Sequence, residues 1–162
     1  MADARIRTNT WFSQCLVGRH GFRVLNMRNL LIFLLFVMFT PSAQAELVVI
    51  AHIKNNIDNL TEKEVQDIFL GHTRLFPNGK FALPIDQSSS LRAEFYEKLT
   101  GRPVEQINAY WARIMFTGQA SPPQQLPDDE AVLQTVRDNE GAIGYIDKTH
   151  VDKSVRVLLR LN

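Results

Sequence analysis

The apolar run at residues 46–51, ELVVIA, constrains the fold more than any other part of the sequence. From Leu47 to Ala51 every side chain is apolar, and two of them are valines. A strand with one solvent-exposed face would alternate between apolar and polar residues. A short continuous run is instead typical of a strand buried on both faces, as in a parallel sheet. We therefore predict a buried strand of a parallel sheet at this position.

Helical and strand patterns alternate after this run. Thr61 and Glu64 have capping-box spacing at the start of a predicted helix over residues 61–71, which ends at Gly71. Further helices are predicted over 91–101, 102–118 and 128–141, and further strands over 81–86, 142–147 and 155–159. The polar, proline-rich segment 119–127 is predicted to be a surface loop. The resulting order, β-α-β-α-α-α-β-β, indicates an α/β domain.

The segment ahead of the first strand predicts export. Residues 27–45 combine Arg28, the apolar run 30–39 and the sequence AQA at 43–45, which is the pattern of a signal peptide cleaved after Ala45. The alternative is a membrane anchor, although the apolar run has about half of the roughly 20 residues that a spanning helix needs. Residues 1–26 are interpreted as an upstream extension of the reading frame or a long n-region. We expect a periplasmic protein.

The remaining residues, 46–162, suit a single domain of 117 residues. They carry 13 Lys+Arg and 16 Asp+Glu, a net charge of −3 with histidine neutral. This balance offers no basic surface for nucleic acid or anionic lipid. The chain's one cysteine, Cys15, lies in the segment expected to be removed, so no disulfide is expected.

The stretch PIDQSSSLRAEFYEKLTG contains the strongest candidate site. Ser88, Ser89 and Ser90 precede a predicted helix, and Arg92 follows in its first turn. Free N–H groups at a helix start, serine hydroxyls and a guanidinium together suit a phosphate or sulfate ion. The alternative is an ordinary capped helix, because serine is a favoured N-cap residue.

Other catalytic, metal and cofactor patterns find no support. NGK at residues 78–80 lacks the spacing of a phosphate loop, and GAIGY at 141–145 enters a strand and does not open a helix. His52, His72 and His150 have no metal-ligand spacing, and no G-x-S-x-G elbow occurs. We expect no metal, no cofactor and no enzymatic activity.

Three segments, in order, resemble the periplasmic phosphate-binding proteins of bacterial ABC transporters, especially their short, single-domain relatives. The segments are NLTEKEVQDIFLGHTRLFPNG, IDQSSSLRAEFY and GAIGYI. The resemblance extends from residue 47 to about residue 157, nearly the whole chain after the predicted signal peptide. It implies a periplasmic-binding-protein-like α/β fold of the second type, reduced to about one lobe, with a mixed sheet flanked by helices. It also implies a phosphate-like ligand at the helix start.

The second segment is similar to the family's S-G-T-R-x-x-F phosphate loop. On this resemblance Arg92 and Phe95 match the family's arginine and phenylalanine, and Ser89 matches its serine. Ser90 then replaces the close-approach glycine and Leu91 replaces the threonine. A shift of one residue would instead place the three serines on serine, glycine and threonine.

The loop after the first strand, HIKNN, replaces a glycine-rich loop of the family. Asn55 and Asn56 are therefore further candidate donors to the ligand, together with His52.

The predicted function is an exported solute-binding protein for inorganic phosphate or a similar oxyanion. The predicted ligand-binding residues are Ser88, Ser89, Ser90, Arg92, Asn55 and Asn56. Its predicted partner is an ABC permease, for transport, or a membrane sensor. The alternative is a periplasmic interaction or sensor-accessory domain that keeps the fold without a ligand. A third, weaker hypothesis, an enzyme, would require a histidine and a carboxylate in one cleft.

Overall fold

The computed structural model describes residues 46–161, so the predicted signal peptide and the segment before it lie outside the described residues. The strands are β1 (Leu47–His52), β2 (Leu83–Gln87), β3 (Gln124–Leu126), β4 (Ala142–Asp147) and β5 (Val155–Leu161). The helices are α1 (Glu62–Phe69), α2 (Leu91–Thr100), α3 (Val104–Phe116) and α4 (Asp129–Asp138). Short 3-10 turns cover Ile53–Asn55 and Lys148–His150. No helix within residues 46–161 has the length and apolar character needed to cross a membrane.

The strands form one mixed sheet in the order β3-β2-β4-β1-β5. β2 runs parallel to both β3 and β4, whereas β1 runs antiparallel to both β4 and β5. The prediction that β1 is buried on both faces is confirmed, since all six of its residues are buried. The prediction that it lies in a parallel sheet is wrong. Helices cover both faces of the sheet here, and that cover buries a strand whatever the direction of its neighbours.

β3 was not predicted. It lies inside the segment 119–127 that we expected to be a surface loop, and it has only three residues, QQL. Its pairing with β2 matches Ile85 with Gln124 and Gln87 with Leu126. Because β3 is an edge strand, its side chains remain exposed or half-buried, and the apolar pattern of a buried strand is absent.

Two clusters of apolar side chains lie on opposite faces of the sheet. On one face α1, α2 and α3 pack against alternate residues of β1, including Leu47 and Val49. On the other face α4 packs against the remaining residues, Val48 and Ile50. The sheet is therefore the middle of three layers, as expected for an α/β domain.

The second glycine of GAIGY, Gly144, allows α4 to approach the sheet closely. A Cβ at this position would lie 2.5 Å from Val132 Cγ1 on α4, well inside contact distance. The glycine is thus needed for helix–sheet packing.

Candidate functional site at the ends of three parallel strands

The parallel strands β2, β3 and β4 have their carboxyl ends side by side. By an edge of the sheet we mean from here on such a row of strand ends. The serine run 88–90 follows β2, Asp128 and α4 follow β3, and the turn Lys148–His150 follows β4. In α/β sheets ligands bind in the crevice outside the carboxyl ends of the strands. A groove of about 360 Å³ lies at this edge. It is lined by Gln87, Ser89, Leu91, Asp128, Asp129, Glu130 and His150.

The serine run leads into α2, and its N-cap residue does not cap the helix. Ser90 occupies the N-cap position, but it has helical dihedral angles and makes no side-chain cap hydrogen bond. The Ser89 hydroxyl donates to Gln87 Oε1 at 2.7 Å and accepts from the Leu91 amide at 3.3 Å. Ser88 instead contacts the Leu126 carbonyl through its amide, at 2.8 Å. The alternative of an ordinary serine cap therefore does not describe Ser90. The Leu91 and Arg92 amides both donate to Ser89, so N–H groups for another acceptor come from the rest of the first turn.

Gln87, Asp129 and His150 join the three segments. Gln87 Nε2 donates to Asp129 Oδ1 at 2.7 Å and to the Tyr145 carbonyl at 2.7 Å. His150 Nδ1 lies 2.6 Å from Asp129 Oδ2, and the Asp147 amide donates to the same oxygen at 3.1 Å. Asp129 therefore orients the imidazole of His150, and Nε2 is the ring nitrogen that remains for another contact. When the ring is protonated, Nε2–H is a donor.

A histidine and a carboxylate thus share one cleft, as the enzyme hypothesis required. The Ser89 hydroxyl donates to Gln87, however, and within residues 46–161 it has no hydrogen bond to the imidazole. The arrangement therefore lacks the nucleophile–base contact of a hydrolase. The described residues also contain no group of three or more histidine, cysteine or acidic side chains suited to a metal ion.

Arg92 forms a buried ion pair beside the groove. Its Nε donates to Asp86 Oδ2 at 2.8 Å, and the side chains are 13% and 2% exposed. Asp86 also accepts from the Tyr145 hydroxyl at 2.5 Å and the Tyr96 hydroxyl at 3.3 Å. Burial opposes the charge of Arg92, but the hydrogen bond and the charge of Asp86 outweigh it, so its pKa is raised. Arg92 is not among the residues that line the groove.

The two tyrosines of this cluster should make the free energy of unfolding fall as the pH becomes alkaline. Burial, and then the negative charge of Asp86, raise the pKa of Tyr145 and Tyr96 above the ordinary value. Above about pH 10 the unfolded chain loses its tyrosine protons while the folded chain keeps them. The contribution is complete below that pH. Stability should then fall by about 1.4 kcal/mol per pH unit for each of the two groups until the folded protein also ionises.

Urea denaturation of wild type and Tyr96→Phe at several pH values from about 9 to 11 tests this effect. The variant should lose about half of the alkaline slope that the two tyrosines cause. It should change little at pH 8, because the bond that it loses is long, at 3.3 Å. An unchanged slope in Tyr96→Phe would contradict the assignment.

Asn55 and Asn56 lie at the opposite edge of the sheet from the serine run. The end of β1 meets the starts of β2 and β4 there, as the pairs Ala51–Ile143 and Leu83–Ala142 show. Asn55 is buried, and its Nδ2 donates to the Glu140 carbonyl at 3.3 Å. Asn56 is exposed and has a left-handed backbone, with φ of 57°. The five residues of β2 place about 15 Å between the two edges.

The structure therefore groups Ser88, Ser89, Ser90 and Arg92 in one turn and separates Asn55 and Asn56 from them. The sequence interpretation missed the contributions of Gln87, Asp129 and His150. One signal was available in the sequence. Gln87 and His150 follow predicted strands and Asp129 lies at a predicted helix start, and ligands of α/β domains bind near the carboxyl ends of the strands.

Two solved structures share the fold of this chain. One, from Clostridium perfringens, is described as a phosphate ABC transporter substrate-binding protein with bound phosphate; it has 22% identity and a TM-score of 0.57. The other, an ABC-type phosphate transport receptor from Vibrio cholerae, has 17% identity and a TM-score of 0.55. Each match covers 70% of this chain, and it covers 44% and 45% of the respective structures. This chain therefore spans less than half the length of either one.

No protein-family model matches the chain. No curated protein matches it. The structural matches confirm the predicted fold, a mixed α/β domain like that of type II periplasmic binding proteins, of which this chain covers only part.

Proposed function

We propose that this domain binds a small protonated oxyanion, inorganic phosphate first, in the groove at the start of α2. The observation that carries the proposal is the helix start itself, where three serines lead into α2 and the N-cap residue Ser90 makes no side-chain cap hydrogen bond. The site lies where the carboxyl ends of three parallel strands meet. The bound phosphate of the Clostridium perfringens protein, which has the same fold, supports the same ligand class.

The donors would come from two segments. The Ser90 hydroxyl and the first-turn N–H groups of α2 that follow Arg92 would contact the oxyanion, because a helix start carries partial positive charge. The Ser89 hydroxyl would join them by turning away from Gln87, to which it donates at 2.7 Å. His150, oriented by Asp129, would donate from Nε2 when it is protonated. Ser88 would contribute less, since its amide is already bonded to Leu126.

The acidic residues of the groove favour a protonated ion over a fully ionised one. Asp128, Asp129 and Glu130 line the same groove and offer hydrogen-bond acceptors. Hydrogen phosphate carries a proton that a carboxylate can accept, whereas sulfate at neutral pH carries none. The proposed groove therefore prefers phosphate to sulfate.

Arg92 would contribute less positive charge to the ligand than an unpaired arginine would. Its Nε is fixed by Asp86, which leaves only the two Nη nitrogens for an anion. Asp86 also offsets much of its positive charge. In this proposal Asn55 and Asn56 do not contact the ligand, because they lie at the other edge of the sheet.

The domain would act by binding and release and would catalyse no reaction. As an exported protein it would deliver phosphate to an ABC permease or report its presence to a membrane sensor. Both partners are part of the proposal.

Calorimetric titration with phosphate tests the site. Ser89→Ala combined with Ser90→Ala should weaken phosphate binding by about tenfold or more, since a hydrogen bond to a charged group contributes about 1.5–3 kcal/mol. Ser121→Ala, an exposed serine outside the groove, is the matched control. Sulfate should bind more weakly than phosphate. Absence of heat at millimolar phosphate, or equal binding by the serine variant, would refute the proposal.

A second candidate function, a ligand-free interaction domain, is favoured by the end of α3. Phe116 is 94% exposed and Met115 is 52% exposed, and adjoining exposed apolar side chains are typical of contact surfaces. Sedimentation velocity should then show self-association that Phe116→Ser abolishes. A monomer at all concentrations, combined with phosphate binding, would argue against this candidate.

A further inference from the structure

A second cavity, which we name the hairpin cavity, lies between α3 and the connection from α1 to β2. Its volume is about 200 Å³. Its lining includes Arg74, Phe81, Trp111, Ser121, Pro122 and Pro123. It also reaches Leu83 and Pro84 at the start of β2, whereas the oxyanion groove is at the end of that strand. The two sites share no lining residue and are therefore separate.

A tight hairpin over residues 74–82 forms one wall of the cavity. The Ala82 amide donates to the Arg74 carbonyl at 2.8 Å, and the Phe76 amide donates to the Lys80 carbonyl at 2.8 Å. These bonds hold Arg74 beside Phe81 and Ala82 across the hairpin. The wall is thus preformed, as ligand sites usually are.

The rest of the cavity is mainly apolar. Trp111 from α3 and the prolines before β3 supply rigid surfaces. Phe81 is 55% exposed although it lines the cavity. An exposed aromatic ring on a concave apolar wall indicates a site for an apolar group. A cavity of about 150 Å³ is enough to hold benzene, so the hairpin cavity has room for one ring or one branched chain.

The polar groups of the cavity are complementary to a carboxylate. Arg74 is the one charged residue in its lining. Among residues 46–161 none of the ion pairs involves Arg74. Trp111 is 4% exposed, and its Nε1 has no hydrogen-bond partner in the part of the chain that the structure describes. A buried donor without an acceptor is uncommon in folded proteins and costs free energy.

From these features we propose that the hairpin cavity binds a small molecule with an apolar ring or branched chain and one carboxylate. The apolar part packs against Phe81, Trp111 and the two prolines. The carboxylate pairs with the Arg74 guanidinium. This proposal does not depend on the oxyanion site.

Intrinsic fluorescence tests the proposal in the full chain. Trp11 is the other of the two tryptophans, so Trp11→Phe makes Trp111 the only tryptophan, and excitation that selects tryptophan over tyrosine reports on it alone. Titration with phenylacetate should give a saturable change in emission. The uncharged analogue phenylacetamide should bind about two- to fivefold more weakly, because the ion pair is lost.

Two variants identify the cation. Arg74→Gln should bind phenylacetate and phenylacetamide equally well. Lys80→Gln, on the same hairpin but outside the cavity lining, should keep the wild-type preference. Both positions are exposed, so both variants should fold.

Three results would overturn the proposal. One is a lack of saturation at tens of millimolar phenylacetate. Another is equal affinity for phenylacetate and phenylacetamide in the protein that keeps Arg74. The third is tighter binding of a peptide that ends in phenylalanine than of phenylacetate, which would assign the cavity to a protein partner.

Discussion

Replacing Arg92 with methionine is expected to lower the free energy of unfolding by about 3–5 kcal/mol. Asp86 is 2% exposed and pairs with Arg92 at 2.8 Å. Without the guanidinium, its carboxylate stays buried with the Tyr145 and Tyr96 hydroxyls and the Gln87 amide as donors, but with no cation. Removing one partner of a buried pair has a large effect because the other charge cannot reach water. Urea denaturation at neutral pH measures it.

An exposed pair of the same length is the control. Arg156 and Asp58 are also 2.8 Å apart, but their side chains are 32% and 95% exposed. Arg156→Met should cost no more than about 1 kcal/mol. Adding Asp86→Asn to Arg92→Met should recover part of the loss, because no unpaired charge is then buried. Equal losses in Arg92→Met and Arg156→Met would show that burial does not set the effect.

This stability role changes how the candidate site can be tested. Arg92 matches the arginine of the resembled phosphate loop, and its removal is the obvious test of binding. A lost phosphate signal in such a variant could reflect partial unfolding alone. Ser90 is exposed and makes no side-chain cap hydrogen bond, and the half-buried Ser89 hydroxyl contacts only Gln87 and the Leu91 amide. Their removal therefore disturbs the fold less than removal of Arg92 and reports on the ligand more directly.

Local patterns in the sequence were sufficient to predict the helices and four of the five strands. The capping box of Thr61 and Glu64 is present, and the apolar run at residues 47–51 is buried on both sides. β3 could not be predicted, because three mostly exposed residues carry no apolar period. The direction of β1 was predicted wrongly, because burial depends on the covering helices and not on the direction of the neighbouring strands.

The groove was only partly predictable for a related reason. Its residues follow β2, β3 and β4, which are neighbours in the sheet although other elements separate them along the chain. The serine run was visible as a local motif. The contact between His150 and Asp129 depends on the strand order, which no local pattern contains. The strand order likewise places Asn55 at the opposite edge.

Replacing Phe95 with alanine is the second change expected to have a large effect, a loss of about 3–5 kcal/mol. Phe95 is fully buried on α2. Its ring stacks on Tyr145 with centroids 3.7 Å apart and meets the edge of Phe69 at 4.9 Å. The variant loses the buried apolar surface, leaves a cavity and removes these aromatic contacts. Thermal or urea unfolding measures the loss.

Phe81→Ala is the matched control, because the same side chain is 55% exposed there. It should change stability by no more than about 0.5 kcal/mol, whereas Phe95→Leu should lie between the two. A Phe95→Ala loss as small as that of Phe81→Ala would mean that the aromatic cluster is not tightly packed.

The Phe95 result would also bear on how the phosphate-loop motif should be interpreted. Tyr145 stacks on Phe95 and donates to Asp86, which in turn holds Arg92. The phenylalanine of the motif would therefore position the arginine through two intermediate side chains without contacting a ligand. Phe95→Leu should keep phosphate binding close to wild type wherever the protein is folded. The double serine variant should bind phosphate about tenfold or more weakly while losing less stability than Phe95→Ala. If Phe95→Leu and the serine variant both lost stability and binding together, the motif could not be divided into a structural part and a ligand-binding part.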